Sequence, residues 1–358
     1  MIIRFKKYSK ILYIFFATLS LFLFFFSTDK VEAKSFNIEN IEVSKPFEIN
    51  FDKNKVVDEG FIKAFSELIL RLTTSSDHNV INKVRLNQIK GMIESFTIKE
   101  EKFINEIYYV NLGVSFNKKK IFKYLENNNI FPSIPKKKNF LFIPIIIDED
   151  KKNLALFSDS KIFNEWNDYK ESFYLIDYLL PTEDLEDINL IKKNYDEIEK
   201  YNFAEIVNKY NLSDSIITLI FKNQNNIRIL SRVTINDNIV IKNLSFSNLD
   251  LDNKQNRENL ISNLKIVYED YWKNFNKINT SIKFPIYIKI KGNNNLKVSN
   301  FENTLNEIDL IYDYYILKFE KDFIYYHIIF NGTPDNFLKF MKKKSFDLNT
   351  QNKTWVLK

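Results

Sequence analysis

The clearest pattern along the chain is helical. Phe61, Ile62, Phe65, Leu68, Ile69 and Leu72 recur three and four residues apart. That spacing lays one apolar stripe along a helix that packs against a sheet, with Asp58 placed to cap it. Thr73, Thr74, Ser75, Ser76 and Asp77 end it as a polar loop. Before it, residues 36–51 alternate loosely and predict a strand or two. After it, Val84, Ile89, Met92 and Ile93 predict a second, shorter helix. From Phe96 to Phe116 the period drops to two, which predicts a hairpin. Tyr108, Val110, Leu112, Val114 and Phe116 share one face, and Tyr109, Asn111, Gly113 and Ser115 the other. Asn117 can cap a short helix whose Ile121, Phe122 and Leu125 face inward. Pro132 and Pro135 then extend the chain.

Asn139 to Ile147 is apolar on both faces, as a central buried strand is. Helical patterns follow at Phe163–Tyr169 and Tyr195–Tyr210. Strand-like runs lie at Phe173–Leu179, Ser215–Phe221, Ile227–Ile235 and Ile239–Phe246. Arg257–Phe275 is a long amphipathic helix carrying Leu260, Leu264, Val267, Tyr271 and Trp272. Alternating strands and helices predict a three-layer α/β domain. The remainder reads as strand (Ile282–Ile290), helix (Ser299–Leu305), two strands (Leu310–Phe319, Phe323–Phe330), helix (Pro334–Lys343) and strand (Phe346–Leu357). That is βαββαβ, a ferredoxin-like order. Thr333 as cap and Pro334 at the first helical position support its second helix.

The chain has 358 residues, enough for two or three cores. The expected fold class is mixed α+β and α/β. An N-terminal αβ domain spans 34–135, a central three-layer α/β domain 136–280 and a C-terminal ferredoxin-like domain 281–358. Lys, Asn, Ile and Phe are abundant while Gly (5) and Pro (7) are scarce. These favoured residues share A/T-rich codons, which discounts arguments from aromatic or asparagine content alone. The absence of cysteine excludes disulfides, thiolate nucleophiles and cysteine metal sites.

Residues 1–33 have the three parts of a secretory signal. Arg4, Lys6, Lys7 and Lys10 form a basic start, Ile11 to Phe26 an apolar run, and Val31-Glu32-Ala33 a small-residue cleavage site. The apolar run is shorter than the roughly 20 residues of a spanning helix, which favours cleavage after Ala33 over an uncut anchor. Either outcome puts the body outside the cytoplasm, so the expected location is periplasmic, with retention at the inner membrane as the alternative. The formal charge is +6. The leader holds half of that excess, so the body is nearly balanced and no nucleic-acid partner is expected.

One segment order resembles a known family. Ala64, Leu68 and Leu70-Arg71-Leu72-Thr73 are followed by Tyr109-Val110-Asn111-Leu112-Gly113-Val114-Ser115-Phe116. Ile121, Leu125 and Ile130-Phe131-Pro132 then lead to Phe140-Leu141-Phe142-Ile143-Pro144. This resembles the exported proteobacterial family called domain of unknown function 2066. The resemblance implies class and location, not mechanism, since its motifs are structural. The middle region is also similar in element order to small α/β domains of envelope assembly proteins: those of curli secretion, of flagellar ring assembly and of the amino-terminal part of the TolB translocation protein.

Candidate chemistry is sparse. Asp148, Glu149 and Asp150 follow the apolar strand, where ligands often bind in open α/β sheets, and two carboxylates there suit a hard cation. A solvated acidic turn is the competing explanation. Glu183, Asp184, Glu186 and Asp187 are accounted for by acids at a helix start after Pro181. His78 and His327 fall in different regions without a matching nucleophile motif. No phosphate-binding glycine loop, Gly-x-Ser-x-Gly or His-Glu-x-x-His occurs. Lys118, Lys119, Lys120, Lys123, Lys136, Lys137 and Lys138 form a basic cluster that could meet anionic lipid or an acidic partner, or be a solvated helix face. The Asn331 sequon carries no expected role.

The expected function is therefore a non-enzymatic binding or assembly module of the envelope, with no catalytic, cofactor or metal residue assigned and no cofactor required. Its partner is an envelope protein or an anionic membrane surface. The alternatives are a carboxylate enzyme using Asp148 and Asp150, or a peripheral membrane protein held by the lysines.

Overall fold

Three sheets, mixed or antiparallel, and the helices packed on them make a mixed α+β protein. The computed structural model describes residues 36–358 except Asn82, so the leader and its cleavage site lie outside the described residues.

The first sheet contains β1 (Asn37–Pro46), β2 (Ile93–Ile104) and β3 (Ile107–Phe116), in the order β1-β3-β2, all antiparallel. Between β1 and β2 run α1 (Lys53–Leu72), α2 (His78–Ile81) and α3 (Leu86–Met92); α4 (Lys118–Asn127) follows β3. The alternating face of β3 is buried as its pattern predicts, from Tyr108 through Phe116. It meets Phe61, Phe65, Leu68 and Leu72 of α1 in one core. The helix begins about two turns before its strongest stripe. Asp52 is the cap and accepts from the Asn54 amide at 2.9 Å, while Asp58 pairs with Lys90 at 2.7 Å. Val56 extends the stripe backward and is buried. At Gly60 the helix passes so close to β3 that a Cβ would lie 2.3 Å from Leu112 Cδ1. Asn117 caps α4 as expected, accepting from the Lys120 amide at 3.1 Å.

The second sheet contains β4 (Lys138–Asp148), β5 (Asn153–Ala155), β6 (Ile176–Leu179), β7 (Ser215–Asn223), β8 (Asn226–Ile235) and β9 (Asn238–Phe246). Its order is β5-β4-β7-β8-β9, with β6 also on β4. The strand β4 is central, parallel to β6 and β7 and antiparallel to β5. This explains its apolarity on both faces. One face packs against Ile162 of α5 (Lys161–Glu165), Trp166 and α8 (Lys254–Phe275). The other packs against Ile191 of α6 (Leu185–Lys193), Ile198, Phe203 and Ile206 of α7 (Ala204–Asn208). Phe142 and Trp166 stack at 3.8 Å between ring centroids. The helical pattern over Tyr195–Tyr210 is broken into a 3-10 turn and α7.

The third sheet has the order β11-β12-β10-β14-β13. It comprises β10 (Phe284–Lys291), β11 (Ile311–Glu320), β12 (Phe323–Phe330), β13 (Leu348–Asn349) and β14 (Trp355–Leu357), with α9 (Asn295–Glu307) and α10 (Pro334–Lys343). Thr333 caps α10, accepting from Asn336 N at 3.3 Å. The expected single strand Phe346–Leu357 is instead two short strands. Asn349 folds back, its side chain accepting from the Gln351 amide at 3.0 Å, and the polar run 350–354 turns the chain. As a result β14 inserts beside β10 and runs parallel to it. A plain βαββαβ would place its last strand antiparallel there, because that strand is a parallel crossover from β12 and β12 is antiparallel to β10.

Tight hairpins are made without glycine. Asn105 and Glu106 (φ 52° and 60°) join β2 to β3, and Asn236 and Asp237 (φ 44° and 67°) join β8 to β9. Both turns place two consecutive residues in the left-handed region, as a type I′ turn requires. None of the glycines has positive φ.

Candidate functional site

Four of the seven lysines in the cluster are bonded to other groups of the protein. Lys118 Nζ donates to the Ile308 carbonyl at 3.4 Å, and burial pulls its pKa below the ordinary value. Lys119 pairs with Asp313 at 2.5 Å. Lys120 donates to the Gly91 carbonyl at 2.7 Å. Lys138 pairs with the fully buried Asp214 at 2.5 Å. Lys119, Lys120, Lys123, Lys136 and Lys137 are exposed, the first two with their ammoniums bonded to Asp313 and the Gly91 carbonyl. Two of these contacts share a geometry. Gly91 lies in the last turn of α3, and Ile308 is the C-cap of α9. Lysine side chains from neighbouring elements thus meet the carbonyl ends of helices, where the unfilled acceptors and the dipole favour a cation.

The helix α8 extends the same device. Its Lys273 donates to the Leu70 carbonyl in the last turn of α1 at 2.6 Å. Asp270 accepts from the Ser75 amide at 2.8 Å, and Trp272 donates to the Lys136 carbonyl at 2.7 Å. Inside the second sheet, Glu269 accepts from the amides of Leu175 and Ile176, both at 2.8 Å; burial pushes its pKa up. Lys265 is 2% exposed and donates to the Tyr169 carbonyl. Its ammonium lies 5.4–5.7 Å from the rings of Trp166, Tyr174 and Tyr178. Burial lowers its pKa to about 8. The Tyr268 hydroxyl bridges Thr218 (2.7 Å) and Ser231 (2.8 Å).

The acidic triplet serves turns. Asp148 accepts from the Lys151 amide at 2.9 Å, Asp150 from the Gln224 amide at 2.7 Å, and Glu149 from the Asn223 side chain at 3.4 Å. Among the described residues no three His, Asp or Glu side chains gather as a metal site. Asp184 caps α6 through the Glu186 amide at 2.9 Å, and Lys209 pairs with the buried Asp187 at 2.6 Å. His78 lies in α2, half-buried, with its pKa lowered by burial and then by Lys273. His327 stacks on Tyr287 at 4.7 Å, and its Nδ1 lies 2.7 Å from the Tyr315 hydroxyl. Asn331, of the sequon, is buried. These nominated residues are distributed over the molecule and converge on no common centre.

A concave feature lies elsewhere, at the far end of the first sheet. A cleft of about 480 Å³ opens between the β1–α1 link and the end of β2. Phe47, Phe51, Phe103 and Tyr108 line it, with Lys53, Glu101 and Lys102. The rings pack at 4.8 Å (Phe47–Phe51), 5.0 Å (Phe47–Phe103) and 5.1 Å (Phe51–Tyr108). Phe47 and Phe103 are 54% and 57% exposed. Lys53 reaches both carboxylate oxygens of Glu101 at 2.8 Å. The Tyr108 hydroxyl is buried beside this pair without a hydrogen bond of regular geometry. Burial and then Glu101 raise its pKa. The strand β2 is the outer strand of its sheet, and Glu94 to Ile104 are all exposed. The sequence shows Phe103 in a hairpin and Phe47 in a loose alternation. Only the β1–β3 pairing, and the Phe47 amide bonded to the Glu106 carbonyl at 2.7 Å, bring them together.

No helix among the described residues is long and apolar enough to cross a membrane. No known protein-family model matches the chain, and no curated protein matches it.

Proposed function

We propose that the chain is a non-enzymatic binding or assembly module of the cell envelope, exported to the periplasm by the leader in residues 1–33. The observation that carries the binding part is the aromatic cleft with Phe47 and Phe103 more than half exposed. Exposed rings that line a concavity are the ordinary mark of a recognition surface. The leader pattern and the resemblance to the exported domain of unknown function 2066 support the location. The finer architecture belongs to the same reading. It comprises an N-terminal αβ domain, a three-layer central α/β domain and a C-terminal ferredoxin-like domain modified by the parallel β14.

The alternatives draw less support. Asp148 and Asp150 are used in turns, each accepting from a backbone amide, and among the described residues no further candidate catalytic group gathers beside them. A lysine-held peripheral protein would draw on ammoniums that Lys118, Lys119, Lys120 and Lys138 commit to partners within the protein.

The test is recovery of the full-length chain with isolated envelope. The wild type and Asp148→Asn are expected to be retained equally, while Phe47→Ala with Phe103→Ala is released. Release of the wild type by high salt alone would favour lysine tethering, since exposed charges are screened. Loss of retention in Asp148→Asn would favour the carboxylate reading.

A further inference from the structure

We propose that the outer edge of β9 is a dimerisation surface, along which a second copy of this chain lays its own β9 antiparallel. The surface belongs to the second sheet, so the inference goes beyond the aromatic cleft of the first. The strand β9 ends its sheet, and among the described residues no strand pairs with its outer edge. Ile239, Val240 and Ile241 are 64%, 38% and 59% exposed there. Outer strands present unpaired amides and carbonyls, and folds blunt them with bulges, charges or proline. The outer strands β2 and β11 of the other two sheets follow that rule, each with two breaks in register against its neighbour. By contrast, β9 pairs with β8 without a break from Asn238 to Phe246. It has no proline, and Lys242 is its one charge.

Exposure on both faces decides the kind of occupant. Val240 stands opposite Val233, which belongs to the core under α8. Ile239 and Ile241 stand opposite Thr234 and Arg232, on the face of Leu230 and the other core. A lipid surface or a small ligand would cover one face. A strand added in the plane of the sheet covers both.

The residues of β9 fit a second copy of themselves. A two-fold axis perpendicular to the sheet keeps each face continuous only when it passes at a residue. With the axis at Val240, each Ile239 lies opposite Ile241 of the other copy, and Val240 lies opposite its mate. Lys242 then meets Asn238 rather than another lysine. An axis at Ile241 would set Val240 against Lys242 and Ile239 against Asn243. An axis at Ile239 would set Ile241 against Asp237. The Val240 axis matches all three apolar residues, and such cross-strand pairs are what stabilise a sheet.

The chain has no cysteine, so introduced ones report position without background. On mild oxidation of the full chain, Val240→Cys should form a covalent dimer, because its two Cα atoms would lie about 4.5–5.5 Å apart. Lys242→Cys should not, because its two copies would lie about 14 Å apart. An equimolar mixture of Asn238→Cys and Lys242→Cys should crosslink, while each alone does not. In sedimentation velocity the wild type should be a dimer, and Ile241→Lys should weaken association at least about tenfold. Adding Ile239→Glu to Ile241→Lys should restore the dimer, since each acid then faces a lysine of the other copy. These positions are exposed, so the variants should keep the wild-type circular-dichroism spectrum. A wild type that is monomeric at about 100 µM overturns the proposal. So does a dimer indifferent to Ile241→Lys, or crosslinking of Lys242→Cys as ready as that of Val240→Cys. Envelope retention of Phe47→Ala with Phe103→Ala is read separately, so this proposal and the binding reading can each fail alone.

Discussion

Lys273 donates its ammonium to the carbonyl of Leu70 across 2.6 Å, joining the last turn of α8 to the last turn of α1. Glu269 lies one helical turn away, 4.0 Å from the same ammonium, and both are almost fully buried. Replacing Lys273 with Met would leave Glu269 buried without its cation. We expect a loss of about 3–5 kcal/mol in urea unfolding, with part of it recovered by adding Glu269→Gln. Additive single and double variants would show that the two groups are not coupled.

Lys265 makes stability depend on pH in a definite direction. Its folded pKa is lowered from the ordinary 10.5 to about 8 by burial and then by Lys170, with Asp168, Glu269 and Glu171 acting the other way. Between those two values the unfolded chain holds more protons than the folded one, so this group makes stability rise as pH increases from about 8 toward 10. Tyr174 and Tyr268, held at about 12, act in the opposite sense only once the unfolded tyrosines ionise near 10. Lys265→Met should flatten the slope of unfolding free energy between pH 8 and 10. An unchanged slope would show that Lys265 titrates normally in the fold.

Phe65 is 3% exposed and packs near Phe116 and Tyr124. Phe65→Ala should cost about 3–5 kcal/mol as a cavity in the first core. Phe142→Ala, which removes the ring stacked on Trp166, should cost a similar amount in the second. A melting temperature equal to wild type in either variant would refute the burial of that ring.

Glu106 holds φ at 60° in the β2–β3 turn. Glycine occupies that region without a Cβ penalty, so Glu106→Gly should stabilise the protein by about 0.5–1 kcal/mol. Denaturant midpoints measure it. A destabilised variant would mean that the glutamate side chain contributes more than its backbone strain removes.

Periodicity made much of the fold legible. The faces of β3, the two-sided burial of β4 and the caps Asn117 and Thr333 all follow from local spacing and side-chain chemistry. The start of α1 was misplaced because Asp58 stands before the strongest apolar run while Val56 is a single buried residue upstream. The last strand divided because an Asx turn at Asn349 interrupts an otherwise extended run. The cleft was hidden for a different reason: Phe47 and Phe103 are far apart in sequence, and only the pairing of β1 and β2 with β3 makes them neighbours. The contacts of Lys118 and Lys120 were hidden likewise, because a carbonyl acceptor leaves no mark in the residue sequence.

Those carbonyl acceptors also set the protein's response to acid. An ion pair breaks when its carboxylate takes up a proton. The contacts of Lys118 to Ile308, Lys120 to Gly91 and Lys273 to Leu70 end instead on peptide oxygens, which do not titrate in the range where carboxylates do. Acidification leaves these three contacts in place, while Lys119–Asp313 and Ser75–Asp270 beside them end on carboxylates and weaken as those protonate, as do surface pairs such as Lys45–Glu59. What acid spares at these seams is the part whose electrostatics are borrowed from helix ends rather than from acids.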